Sequence, residues 1–177
     1  MLTNLNVGVL GSVDGWFTIL TQEGISFDII SSFDNIDPKK YPVIIIDSYA
    51  LTKSYKSIEN YIYSGGTLLV STRFWKSCFR GKSNLLKVKY LQPNNLNLFP
   101  NIGLVDIYDD IEIPVDNSLD TLDSVLFLFE KNIGSGKLII YPFNLPKLVN
   151  DFRKSRKRFI DRRKELPSEV VSTVSKN

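Results

Sequence analysis

The stretch Ile58–Trp75, IENYIYSGGTLLVSTRFW, constrains the fold of this 177-residue chain more than any other. Tyr55, Ile58 and Ile62 recur at i, i+3 and i+7, the spacing of an apolar helical stripe. Gly65-Gly66 ends that helix where the backbone needs a positive φ, and Thr67–Ser71, TLLVS, then reads as a buried strand. A helix, a tight turn and a strand in immediate succession form the second half of a βαβ unit. The rest of the chain can be placed around it.

Asn6–Leu10, NVGVL, is a short apolar run of the kind that makes a buried first strand, and Gly11–Gly15 is the loop after it. Trp16, Ile19 and Leu20 predict a helix over Trp16–Glu23 with Gly24 as its cap. Phe27–Ile30 is a second strand, Asp34–Lys40 a loop, and Val43–Asp47 a strand apolar on both faces, as central parallel strands are. Crossovers of this length imply right-handed βαβ units. The expected class is therefore α/β, a three-layer, doubly wound, mostly parallel sheet with helices on both faces.

Beyond Trp75 the pattern weakens, and Phe74–Asn101 reads as an irregular excursion with short strands. Ile107–Val115 suits an edge strand carrying Pro114. Ser124–Phe129 and Lys137–Tyr141 flank Asn132–Gly136 as a hairpin, so the sheet is expected to finish antiparallel. Gly134-Ser-Gly-Lys137 superficially suggests a phosphate loop. Its Lys is followed by Leu138 and opens a strand, which makes it a hairpin turn. Gly8, Gly11 and Gly15 likewise lack the spacing of a dinucleotide fingerprint.

The chain contains no histidine and a single cysteine, Cys78. A Ser-His-Asp triad, a Cys-His dyad or a histidine-bearing zinc site cannot be built from it alone. Asp106, Asp109, Asp110 and Glu112 lack the spacing of a calcium loop and read as a solvated edge. No metal, cofactor or catalytic residue is expected. The absence of a long apolar run or a leader pattern reads as a soluble, cytoplasmic protein.

Charge divides the chain. Residues 1–146 hold 12 Lys and Arg against 15 Asp and Glu, whereas residues 147–177 hold 10 against 4. The expected domains are an α/β body over 1–146 and a basic helical extension over 147–177. Arg153, Lys154, Arg156, Lys157, Arg158, Arg162, Arg163 and Lys164 supply the charge of the extension, and Leu148, Phe152, Phe159 and Ile160 fall near one helical face. Three partners suit this helix: nucleic-acid phosphates, an anionic membrane surface, or a protein domain that receives the two phenylalanines.

Taken together, the strand–helix order, YIYSGGTLLVST and GSGKLIIYPFNL resemble the class I glutamine amidotransferase-like, flavodoxin-like domains over about residues 5–145. The resemblance implies a nucleophile elbow at Ser71 or Thr72. Active members carry a cysteine there and draw on a later histidine and acid; here the elbow continues into Arg73-Phe74-Trp75 and no histidine exists. Residues 141–177, and ELPSEVVSTVSKN in particular, resemble the segment that joins such a domain to a polysaccharide deacetylase. The two resemblances imply a non-catalytic accessory domain whose partner is a deacetylase-like enzyme.

Ligand-binding candidates follow from the rule that open α/β sheets bind at the carboxyl ends of their strands. Ser71, Thr72 and Arg73 end one strand, Gly11 and Ser12 another, Asp47 and Ser48 a third. The alternatives are a nucleic-acid-binding protein acting through the basic helix and a small hydrolase using Ser71 or Ser12.

Overall fold

A computed structural model of the chain describes residues 6–11, 14–46, 55–94, 97, 105–107 and 111–144. Four strands open the fold in the expected places: β1 (Val7–Leu10), β2 (Phe27–Ile30), β3 (Val43–Ile46) and β4 (Thr67–Ser71). Helix α1 (Asp14–Gln22) follows β1, and α2 (Tyr55–Tyr63) precedes β4. The later strands are β5 (Ser83–Leu86), β6 (Tyr90–Leu91), β7 (Val105–Asp106), β8 (Ile111–Pro114), β9 (Asp120–Asp123), β10 (Leu128–Ile133) and β11 (Gly136–Tyr141). Seven of the eleven form one sheet in the order β2-β1-β3-β4-β11-β10-β9. The first five of that order are mutually parallel, and β10 and β9 extend the sheet antiparallel.

Alternation along the strands sorts the core into two sides. Leu68, Val70, Leu138 and Ile140 point to one face, where Ile58, Tyr61 and Ile62 of α2 pack on them, and all seven are at most 3% exposed. Val7, Val9, Ile45 and Tyr141 point to the other, beneath Trp16 and Leu20 of α1. The protein is thus a mixed α/β structure on a mostly parallel sheet with few helices. Among the described residues no helix is long and apolar enough to cross a membrane.

Three expectations need correction. The residues after β4 are not irregular: Thr72–Phe79 form a helix, α3, which lays Phe74 and Trp75 into the same core as α2. It stops at Arg80, which takes a left-handed conformation (φ 54°), and Gly81 lies so close to the Trp75 ring that a Cβ would strike it. The hairpin turn falls within the expected Asn132–Gly136, but its first strand starts four residues later than its apolar run suggests. Ser124–Phe127 form a turn, and β10 begins at Leu128. Asp123, 2% exposed, holds that turn by accepting from the backbone N–H groups of Val125 and Leu126, both at 2.9 Å, and from Asn94 N–H at 2.8 Å. The second hairpin strand, β11, inserts between β4 and β10, and the sheet finishes antiparallel as expected.

The expected edge strand over Ile107–Val115 is divided. β7 pairs with β6 and β8 with β5, in two small sheets outside the main one, and Pro114 terminates the β5–β8 ladder opposite Ser83. Leu91, Ile107, Ile111 and Leu126 form the core of this lobe, which joins the body through Leu128 and Phe143. Lys76 of α3 pairs with Glu112 of β8 at 3.4 Å, a second tie between the two parts. The basic extension over 147–177, with all eight of its candidate cations, lies outside the described residues, as do Asp109 and Asp110.

Candidate functional site

The strand order fixes where a ligand site would form. From β1 the chain crosses to β2 on one side and later to β3 on the other, so the winding reverses between β1 and β3. Ligands of open α/β sheets bind outside the carboxyl ends at such a reversal. Gly11 stands there with φ 102°, a backbone that only glycine adopts without strain. Its neighbours in the expected crevice, Ser12, Asp47 and Ser48, lie outside the described residues.

Two strands along the same edge stand Ser71, Thr72 and Arg73. The register pairs Leu10 with Ile46, Ile46 with Val70, and Ser71 with Tyr141, so these residues share one end of the sheet with Gly11. Ser71 is the N-cap of α3: its Oγ accepts the backbone N–H of Phe74 at 3.2 Å and satisfies a donor that the helix leaves unpaired. Its backbone is ordinary extended chain, φ −71° and ψ 152°, without the strain that lifts a nucleophile out of an elbow. Thr72 is 1% exposed, and its Oγ1 donates to the Tyr141 carbonyl at 3.3 Å, tying the start of α3 to the end of β11. Arg73 is exposed in the first turn of α3, where no acidic residue accompanies it.

The two hydroxyls therefore hold the strand-to-helix junction together, and Arg73 is the side chain of the three that faces solvent. Tyr141 itself is buried beneath the Trp16 ring in an edge-to-face contact, centroids 5.8 Å apart at 72°. Trp16 is 6% exposed, and its indole N–H has no hydrogen-bond partner among the described residues. Sequence reasoning did not single out this donor. The signal was its position in the first turn of the helix that follows β1.

Chemistry elsewhere is sparse. Burial pushes the Cys78 thiol up to about 11, so it stays protonated at neutral pH, and it lies in the last turn of α3 against the core of α2. Among the described residues no group of three or more Cys, Asp or Glu side chains gathers in a way that could hold a metal ion. Glu112, one of the acids noted in the sequence, accepts from Ser83 Oγ at 3.1 Å and pairs with Lys76.

No protein-family model matches the sequence, and no curated protein does. Solved structures do. The chain is similar to an exo-β-1,4-mannosidase from Opitutaceae bacterium strain TAV5, with a TM-score of 0.64 at 10% identity, over 94% of this chain and 34% of that one. It is similar to a β-galactosidase from Bacillus circulans sp. alkalophilus, with a TM-score of 0.54 at 12% identity, over 83% of this chain and 30% of that one. A cytoplasmic protein from Salmonella typhimurium LT2 gives a TM-score of 0.57 at 10% identity, over 82% of this chain and 93% of that one. The chain thus spans about a third of the two glycosidases and nearly all of the Salmonella protein. At these identities the likeness is one of fold.

Proposed function

We propose that this chain is a non-catalytic accessory or binding module of a carbohydrate-active protein, of the kind associated with polysaccharide deacetylase-like enzymes, on a three-layer, flavodoxin-like and amidotransferase-like frame. The observation that carries the reading is the state of the elbow. Where the resembled family places its nucleophile, Ser71 caps a helix through unstrained backbone and Thr72 is buried against a carbonyl. With no histidine in the chain, neither hydroxyl has its usual base. The parallel strand order, helices against both faces and the reversal between β1 and β3 favour the flavodoxin-like frame.

The carbohydrate association is supported by the connector-like residues 141–177. It is also supported by the recurrence of this fold as about a third of a mannosidase and of a galactosidase. A module in that setting holds or positions a chain that another domain cuts. Arg73 and Gly11, on the carboxyl edge, are the described candidates for contact with it.

The test is turnover by the purified full chain on glutamine, acetylated chitooligosaccharides and nitrophenyl glycosides. We expect no ammonia, acetate or nitrophenol above the level of a Ser71→Ala, Thr72→Ala chain. Turnover that the double substitution abolishes would overturn the non-catalytic reading. Titration of the same oligosaccharides, followed by amide shifts, should move Gly11 and Arg73 before residues of β9 or β10.

A further inference from the structure

Helix α3 separates its residues into two arcs. Thr72, Phe74 and Trp75 are buried and Cys78 and Phe79 half-buried, all on the arc turned to the core. The exposed arc is Arg73, Lys76 and Ser77, continued by the cap residue Arg80. Arg73, Lys76 and Arg80 stand at i, i+3 and i+7, so three cations form one stripe about 10 Å long.

The charge of that stripe is poorly compensated. Cations three and four residues apart on a helix repel one another, and Arg73 sits at the positive end of the helix dipole with no acid in the first turn. Among the described residues the stripe makes one ion pair, Lys76–Glu112 at 3.4 Å, which leaves both arginines unpaired. The chain around it adds charge of the same sign. Between Glu59 and Asp106 stand six of the twelve Lys and Arg of residues 1–146, and no acid. A helix that obeys the packing rules on its buried arc and breaks the charge rules on its exposed one is relieved by an external polyanion. Beside Lys76 the surface turns apolar. Glu112 is in register with Leu85, and cross-strand partners share a face, so Leu85 stands next to the ion pair at 70% exposure.

We propose that Arg73, Lys76, Arg80 and Leu85 bind a polysaccharide that carries carboxylate or sulfate groups. This rests on the accessory-module reading and names the class of chain that the module holds. The planar fork of arginine matches both anionic groups, and Leu85 offers an apolar contact for the C–H face of a sugar ring. Arg73 sets the start of the stripe on the carboxyl edge of the sheet, so a bound chain runs from that edge along α3. A single-stranded nucleic acid suits the stripe less well, because the exposed arc holds no aromatic side chain on which bases stack.

The experiment titrates the full chain with oligogalacturonate, a sulfated dextran oligomer, a neutral cello-oligosaccharide and a single-stranded oligonucleotide. Amide shifts of Ser77 and Leu85 report the stripe separately from the basic residues of the tail. We expect the anionic saccharides to bind more tightly than the neutral one, with affinity that falls as salt rises, and the tighter of the two names the anionic group. Arg73→Gln with Arg80→Gln should weaken them about tenfold or more without lowering the urea midpoint, since both side chains are exposed and unpaired. Unchanged affinity in that double substitution would overturn the proposal, as would saturation without a shift at Ser77 and Leu85. So would an oligonucleotide that binds the stripe more tightly than either saccharide, which would make it a nucleic-acid face. If the neutral saccharide shifts Gly11 and Arg73 and the anionic ones bind no better, the accessory reading stands and this inference falls. If no saccharide binds anywhere on the chain, both fall.

Discussion

β4 and β11 run side by side, and their two ends are built from different materials. At the amino end the lock is backbone against backbone. Lys137 N–H donates to the Gly66 carbonyl at 3.1 Å, Ser135 N–H to the Tyr63 carbonyl at 3.2 Å, and Gly66 N–H to the Tyr61 carbonyl at 3.1 Å. The Tyr61 ring lies over Gly66, and its hydroxyl donates to the Tyr41 carbonyl at 2.8 Å and lies 3.2 Å from that of Thr67. At the carboxyl end the lock is made by side chains, Ser71 on Phe74 N–H and Thr72 on the Tyr141 carbonyl. A backbone lock demands glycine, and a hydroxyl lock accepts several residues. The first end therefore tolerates almost no substitution, whereas the second leaves room for other groups.

The largest effect expected from this contrast is at Gly136. A methyl there would fall inside the carbonyl oxygens of Ile62 in α2 and Gly66 in the turn after it, which are backbone atoms and cannot rotate away. Gly136→Ala should cost roughly 3 kcal/mol or more, as overpacking against fixed atoms does. The measurement is the urea midpoint of the full chain at constant m-value. A loss below about 1 kcal/mol would mean that the turn relaxes and that the two ends do not differ in kind.

At the other end Ser71→Ala should cost about 1 kcal/mol, the ordinary value of an N-cap hydroxyl. Ser71→Asp should hold stability near that of the parent, because a carboxylate caps as well and favours a helix N-terminus. The pair of substitutions separates a cap from a reactive hydroxyl, which aspartate could not replace. If Ser71→Asp unfolds the chain as far as Ser71→Ala does, the cap is not what holds the junction.

The same contrast governs what could be read from the sequence. Gly65-Gly66 and Gly134-Ser-Gly136 announce a turn because glycine has few other reasons to stand there, and the βαβ reading built on them placed β1 to β4 and α2 correctly. Ser71 and Thr72 gave no such signal, since the residue types that cap helices also perform chemistry. α3 was missed although Phe74, Trp75, Cys78 and Phe79 keep a helical spacing, for an eight-residue helix rich in aromatics with no acid in its first turn has weak local propensity. The first hairpin strand starts late because one buried carboxylate, Asp123, turns an apolar run that would otherwise pass as strand. Of the candidate residues, Ser71, Thr72 and Arg73 do share the sheet edge with Gly11.

The smallest effect concerns the only thiol. Cys78 stands two turns beyond Ser71 along α3, its acidity lowered by burial alone. An unfolded thiol titrates near its ordinary 9.0, while the folded one holds its proton to about 11. Below the lower value both states are protonated and pH has no leverage. Between the two, the folded state binds more protons than the unfolded one, so stability falls as pH rises. The decline should be shallow, because the side chain is only partly buried, and it must be separated from tyrosine ionisation. Urea midpoints at pH 8 and about pH 10 should therefore fall further in the parent than in Cys78→Ser, where this contribution is absent. Equal declines in the two proteins would place the thiol in water. It would then be available as a nucleophile one helix away from Ser71, and the carboxyl end would have to be regarded as chemically competent after all.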